Sequence, residues 1–258
     1  MKKIALILLL LSVFTRIFGQ ILVSPKPKIA NEFVTLIEKA HNKTDFLKHK
    51  AIAFDIEVTW GGKSNLKATV TSQTNSGKIK MDYGNGVTVY FDGKDVFMTP
   101  SVNTYNRARF DVLTFQYFFF APFKLRDNGV SVIPDIDRLS DGRAFPTAKM
   151  TFATGTGDSP DDWYILYRNA QTNKLDGMSY IVTYGNKKPD ELTPNAITYN
   201  EWTTLDGVPF PTKWAFTEWS DAKGFTKIKG EAMIKNIRWI DKIEGVFNVP
   251  SDSKKVEK

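Results

Sequence analysis

Along residues 29–41 the apolar side chains Ile29, Phe33, Leu36, Ile37 and Ala40 return at helical spacing, which predicts one amphipathic helix. At Ala51 the period changes to two. In "AIAFDIEVTW" Ile52, Phe54, Ile56, Val58 and Trp60 share one face of a strand, while Asp55 and Glu57 share the other. Turn chemistry then recurs at "NSG" (75–77), "GNG" (84–86) and "FDG" (91–93). Glycine after Asn or Asp supplies the positive φ angles of tight hairpins, so these segments predict consecutive antiparallel strands. After "DNG" (127–129) and an irregular acidic connection, strand patterning resumes at "FPTAKMTF". It continues through "DWYILYR", "LDGMSYIVTYG", "AITYNEWTTL", "FPTKWAFTEW" and "FTKIKGEAMIKNIRWI". The pattern predicts about eleven strands without helical crossovers, which excludes a parallel sheet. A twisted antiparallel sheet this long must curl, close or split. Some late strands are apolar on both faces, Trp163, Ile165 and Tyr167 alternating with Tyr164 and Leu166, so their second face needs its own cover.

One stretch breaks the period of two. Residues 110–123, "FDVLTFQYFFFAPF", hold six phenylalanines and a tyrosine. On a helix, Phe110, Leu113, Tyr117 and Phe120 point one way and Val112, Phe115 and Phe119 point nearly opposite. Each buried phenylalanine is worth roughly 1.5–3 kcal/mol, so both sides of this helix must be covered. The larger cluster, Phe110 to Phe120, is expected to pack on the sheet. The Phe115 and Phe119 side is then expected either to fill the core or to face an apolar ligand. Pro122 should end the helix, since proline cannot continue the hydrogen-bond ladder.

The N-terminus has a different character. Lys2 and Lys3 precede the apolar run "IALILLLLSVF", and "TRIFGQ" places Gly19 just before Gln20. This pattern reads as a secretory signal peptide over 1–19, too short to span about 30 Å of hydrocarbon, with one exported domain over 20–258. The chain has no cysteine, which excludes disulfides, thiolate metal sites, cysteine nucleophiles and a lipid anchor on cysteine. Its formal charge is +7, and loss of Lys2, Lys3 and Arg16 with the signal peptide would reduce that excess. The remaining bases are scattered, which favours solubility and argues against a nucleic-acid partner.

A signal peptide, a helix, and a long meander with a helical insertion together resemble the LolA/LolB-type lipoprotein carriers. The hairpin "DWYILYRNAQTNKLDGMSYIVTY" (162–184) is similar to that family's paired aromatic strands. The segment "LDGVPFPTKW" (205–214) resembles the hairpin that follows them, with its Gly, Pro, Trp pattern. The resemblance implies a mainly β fold, an unclosed half-barrel with an N-terminal helix and the Phe-rich helix on its concave side. It also implies a periplasmic protein that binds an acyl chain, a lipid or a lipoprotein without catalysing a reaction. The family's early-strand arginine has no counterpart here, where Lys63 and Lys67 stand instead. Expected ligand-facing residues are Phe115, Phe118, Phe119 and Phe123 from the helical stretch, with Tyr180, Tyr184, Trp214 and Phe216 from the sheet. Tyr180 and Tyr184 alternate along one predicted strand, and Trp214 and Phe216 along another. Such stripes are usually core, and in a curved sheet they can instead line a concave pocket.

The remaining chemistry is sparse. His41 and His49 match no zinc spacing and are expected to cap a helix or face solvent. "GGKS" (61–64) lacks the first glycine of a phosphate-binding loop, and no Gly-x-Ser-x-Gly elbow is present. Asp55 and Glu57 could pair for acid–base work, but alternation toward solvent explains them too. "DIDRLSDG" (135–142) fails calcium-loop spacing, and "GDSPDD" (157–162) reads as a turn. The sequence therefore predicts no catalytic residue, metal or cofactor. A cell-envelope adaptor with a self-filled core, or an envelope hydrolase using loop carboxylates, are the other readings it permits.

Overall fold

Asn31 opens the first helix, its side-chain oxygen accepting the Val34 N–H at 3.3 Å and satisfying one of the free donors of the first turn. In the computed structural model, which describes residues 31–185 and 187–258, this helix (α1) is Glu32–Ala40. Phe33, Val34 and Ile37 form its buried stripe, and a single turn (α2, Lys43–Phe46) follows. The signal-peptide segment 1–19 lies outside the described residues, as do the first two positions of the predicted 29–41 helix.

The period-two segments become strands. The first meander is β1 (Ala51–Trp60), β2 (Lys63–Gln73), β3 (Ile79–Asp82), β4 (Thr88–Phe91) and β5 (Val96–Thr99). The Phe-rich stretch follows as α3 (Ala108–Phe120), and Pro122 turns its end into a 3-10 turn, Ala121–Phe123. The acidic connection holds β6 (Val130–Pro134), β7 (Arg138–Ser140) and β8 (Arg143–Phe145). The second meander is β9 (Thr147–Phe152), β10 (Trp163–Arg168), β11 (Leu175–Tyr180), β12 (Asn195–Leu205), β13 (Val208–Ser220) and β14 (Gly224–Ile240). A short β15 (Lys254–Val256) comes last.

Thirteen strands make one antiparallel sheet in the order β15-β5-β4-β3-β2-β1-β14-β13-β12-β11-β10-β9-β6. The two meanders join at one seam, where β1 meets β14 with Ile56 opposite Ile234 and Val58 opposite Ala232. Among the described residues β15 and β6 do not pair with each other, so the sheet stays open, as the family resemblance implies. Asn31 reaches the β6 edge, donating from Nδ2 to the Val132 carbonyl at 2.6 Å. The strand count exceeds the expected eleven because β6, β7, β8 and β15 are short and mostly exposed. Segments like these carry no alternating pattern to read.

The doubly apolar strand β10 finds its second cover here. Tyr164 and Leu166 enter the main core, whereas Ile165 and Tyr167 form an outer cluster with Phe145. The β7–β8 hairpin supplies Phe145, and Trp219 donates from Nε1 to the Tyr167 hydroxyl at 2.8 Å. Gly224 permits this docking, since a Cβ there would lie 2.6 Å from the Leu139 carbonyl. Asp55 faces outward as alternation requires, accepting from Thr69 Oγ1 at 2.8 Å and Asn236 Nδ2 at 2.6 Å.

The helix faces differ from the sequence expectation at Phe119, Phe110, Leu113 and Tyr117, while Phe120 is buried as expected. Phe119 is fully buried, stacked on Phe54 of β1 with ring centroids 3.9 Å apart and on Phe210 of β13 at 5.2 Å. Val112 and Phe115 are buried on the same side, while Phe110, Leu113, Thr114 and Tyr117 form a half-buried stripe. Phe120 alone of the larger cluster is fully buried, edge-on to Phe46 of α2 at 5.1 Å. The inversion has a polar cause. Asp111 and Gln116 flank the Phe119 side and are buried with it, because neighbouring segments satisfy them.

His41, expected at a helix end or in solvent, caps α1 through its backbone N–H but has a buried ring. Its Nε2 accepts the Leu175 N–H at 3.1 Å, and Phe123 and Trp202 pack around it. Burial, with a smaller contribution from the Lys174 charge, pushes its pKa down to about 3 against an opposing Pro209 carbonyl. His49 instead stacks on Trp239 at 3.7 Å.

Two outcomes are expected from this packing. Phe119→Ala should cost about 3–5 kcal/mol in urea unfolding, and Leu113→Ala on the half-buried stripe only about 1 kcal/mol. Equal costs would contradict the face assignment. His41 must stay neutral in the fold, so its contribution is complete above pH 6.5 and is lost as pH falls toward 3. Between pH 6.5 and 4, His41→Gln should therefore lose stability less steeply than the parent, by about 1.4 kcal/mol per pH unit. Parallel curves would show that His41 titrates normally.

Candidate functional site

Along the half-buried stripe of α3, which touches the sheet at Tyr117, a cavity of about 870 Å³ opens. Phe110, Leu113, Thr114, Tyr117 and Phe118 line the helix side. The sheet contributes Val58 and Trp60 from β1, Leu66 from β2, Phe216 from β13, Tyr164 from β10 and Tyr180 from β11. The rings interlock: Phe118 lies 5.1 Å from Tyr180 and 6.2 Å from Phe216, Tyr117 lies 5.7 Å from Tyr164, and Tyr164 stacks on Tyr180 at 5.7 Å. These rings offer dispersion and ring-edge contacts to an apolar guest, while Asn65, Gln116, Lys124, Asp127, Asp162 and Asn195 put polar groups elsewhere on the lining. Burial raises the pKa values of Tyr117, Tyr164 and Tyr180, so all three stay neutral at any physiological pH.

The eight residues expected to face a ligand divide into two sets. Phe115, Phe118, Tyr180, Tyr184 and Phe216 line the cavity together. Phe119, Phe123 and Trp214 lie in the solid core, Phe123 stacked on Phe46 at 3.9 Å and Trp214 donating to the Pro211 carbonyl at 3.3 Å. Tyr184 is not in β11, which ends at Tyr180. It lies in the following turn with its ring 5.5 Å from Phe110. Sequence reasoning passed over Leu113 and Tyr117 as ligand-facing, and Asn65 and Asn195 altogether. A period-four half-buried stripe was visible in the helix pattern, but its orientation was not.

The helix is held at several points. Arg109 makes a two-armed pair with Asp158, at 2.6 and 2.8 Å, and donates to the Val256 carbonyl of β15 at 3.3 Å. Asp111 accepts from the Tyr105 hydroxyl and from Arg107 at 3.0 Å, and burial still pushes its pKa up. Gln116 donates to Ser72 at 3.1 Å and to Ser76 at 2.9 Å. The Tyr199 hydroxyl donates to the Phe118 carbonyl at 2.6 Å. Around the cavity, Lys124 pairs with Asp127 at 2.8 Å. Asp162 accepts from the Thr183 N–H and hydroxyl, both at 2.7 Å, and burial raises its pKa. The candidate carboxylates of "GDSPDD" thus work inside the fold, Asp158 as a clasp and Asp162 as a turn acceptor. No described helix is long and apolar enough to cross a membrane.

No protein-family model matches the chain, and no curated protein sequence matches it. Solved structures do match. A LolA superfamily protein from Nitrosomonas europaea superposes with a TM-score of 0.54 at 11% identity, over 83% of this chain and 97% of that one. An outer membrane lipoprotein-sorting protein domain from Vibrio parahaemolyticus gives a TM-score of 0.51 at 8% identity, over 80% of this chain and 91% of that one. At such identities the likeness is one of architecture, an open antiparallel sheet with few helices. The chain has the LolA-like fold.

Proposed function

We propose that this is an exported, non-enzymatic binding protein that holds an acyl chain, or the lipid-modified end of another protein, between α3 and the sheet. The observation that carries this reading is the half-buried apolar stripe of α3 facing a cavity of about 870 Å³ walled by aromatic rings. Pockets of roughly 300–1,000 Å³ suit a small amphiphile, and a chain of methylenes needs the shape and dryness of such a wall rather than precise polar partners. The lipoprotein-sorting description of the Vibrio domain, on the same fold, agrees with a lipid-modified guest. A self-filled adaptor would be expected to close this space with its own side chains. An envelope hydrolase would need two free carboxylates converging in the cavity, whereas Asp111, Asp127 and Asp158 are paired with Arg107, Lys124 and Arg109. That leaves Asp162, bonded to Thr183, as the one lining carboxylate among the described residues without a cation.

In this reading residues 1–19 are a signal peptide, the single domain spans 20–258, and the protein works in the periplasm. N-terminal sequencing of envelope material should return a first residue within two positions of Gln20. Recovery of Met1 would reject export by cleavage.

Binding is tested with a fluorescent fatty-acid probe and with mass spectrometry of organic extracts from protein purified out of its native envelope. The parent protein should bind the probe at one site. Leu113→Trp, which fills the cavity from the helix side, should weaken binding at least about tenfold, the equivalent of about 1.4 kcal/mol, with little change in urea midpoint. A parent protein that neither binds the probe nor yields a lipid would overturn the proposal.

A further inference from the structure

The charges around the cavity are not evenly placed. Arg107, Arg109 and Lys124 are each committed to a carboxylate, Asp111, Asp158 and Asp127, at 3.0, 2.6 and 2.8 Å. At the β1–β14–β13 end the situation differs. Lys229 donates from Nζ to Asn195 Oδ1 at 2.5 Å and sits 5.8 Å from the centre of the Trp60 ring. Among the described residues it has no carboxylate partner. Glu231, two residues on, pairs with Lys213 at 3.5 Å, and Glu218, opposite Asn195 in the ladder, is exposed.

Backbone irregularities bear on where these groups sit, with Lys229 beside the cavity through its contacts with the lining residues Asn195 and Trp60. In the β13–β14 pairing Phe216 faces Gly230 while Thr217 faces Ile228, so Lys229 is the extra residue of a bulge. In the β1–β2 pairing Val58 faces Leu66 while Thr59 faces Ser64, which makes Asn65 the extra residue of a second bulge. Asn65 and Asn195 both line the cavity. Gly230 leaves room for Trp60, since a Cβ there would come within 2.4 Å of the indole. Trp60 itself is 44% exposed, an aromatic ring at the rim with a cation against it.

From this grouping of an uncommitted cation, an amide and an exposed indole we infer that the cavity takes a single-chain amphiphile with an anionic head, a carboxylate or phosphate. The head is received by Lys229, Asn195 and Trp60, and the chain lies along α3. Lys229 has ammonium donors left over after Asn195, and the amide N–H groups of Asn195 and Asn65 can add neutral donors to an oxyanion. The inference rests on the proposed acyl-binding reading and adds the class of head group and its direction in the cavity.

The test compares dodecanoate, dodecyl phosphate and dodecanol, all below their micellar concentrations, by displacement of the fluorescent probe from the full mature chain. Both anions should bind roughly tenfold more tightly than the alcohol, the size of one charge-assisted hydrogen bond, and this preference should shrink as salt is raised. Lys229→Met should abolish the preference, bringing the affinities of both anions to that of dodecanol for the same variant, and Lys229→Arg should retain it. Tighter binding by only one of the anions identifies the head and upholds the inference. Equal binding of anions and alcohol by the parent protein overturns the inference but leaves acyl binding intact. Failure of all three ligands and the probe overturns both. The parent comparison and its salt dependence need no variant, so a Lys229 variant that fails to fold does not weaken the test.

Discussion

A helix apolar on two sides has to be covered on two sides, and that requirement organises the inner face of this protein. Phe119 meets it on one side by stacking between Phe54 and Phe210. Those two rings belong to β1 and β13, which flank β14 and so bracket the seam where the two meanders join. One buried ring therefore fixes the helix over the joint of the sheet. Leaving such a ring in water would cost roughly 1.5–3 kcal/mol, a large fraction of a total stability of about 5–15 kcal/mol.

Once that side is anchored, the other side is determined by geometry. Phe110, Leu113 and Tyr117 follow one another at helical spacing and point away from Phe119, so they face the cavity. The polar groups of the helix would oppose this orientation if they went unpaired. Tyr105 and Arg107 satisfy Asp111, Ser72 and Ser76 satisfy Gln116, and Tyr199 satisfies the Phe118 carbonyl. With these bonds made, burial of Asp111 and Gln116 is tolerated, and the apolar stripe is left to the cavity.

The sheet solves a second covering problem on its outer face. Ile165 and Tyr167 alternate with core residues on β10, and the small hairpin β7–β8 closes over them with Phe145. Arg138 holds that hairpin in place, pairing with Asp221 at 2.7 Å and Asp135 at 3.0 Å and donating to Thr147 at 2.7 Å. The acidic run that looked like a failed calcium loop is thus the attachment of a roof. Both faces of the sheet are built from local alternation, and each borrows its cover from a distant segment.

The sequence by itself determined the elements whose cause is local. Alternation of Ile52, Phe54, Ile56 and Val58 gave β1, the glycine turns gave the hairpins, and the absence of crossover helices gave an antiparallel sheet. The existence of a helix around residues 110–120 and its stop at Pro122 were equally local. Which face of that helix meets the sheet was not, because two apolar sectors of similar size are equivalent until partners for Asp111 and Gln116 are known. Those partners stand at Tyr105 and Arg107 just before the helix and at Ser72 and Ser76 across the core. Placement of Asn65 at the cavity, and of Lys229 against the lining residues Asn195 and Trp60, likewise depends on bulges, which arise from the register between paired strands and leave no mark in either strand alone. The burial of His41 required α1 to dock against β11, so only the tertiary structure could turn a helix-end residue into a neutral core acceptor. Periodicity reports what each segment must bury, and contacts between distant segments decide where it is buried and what space remains.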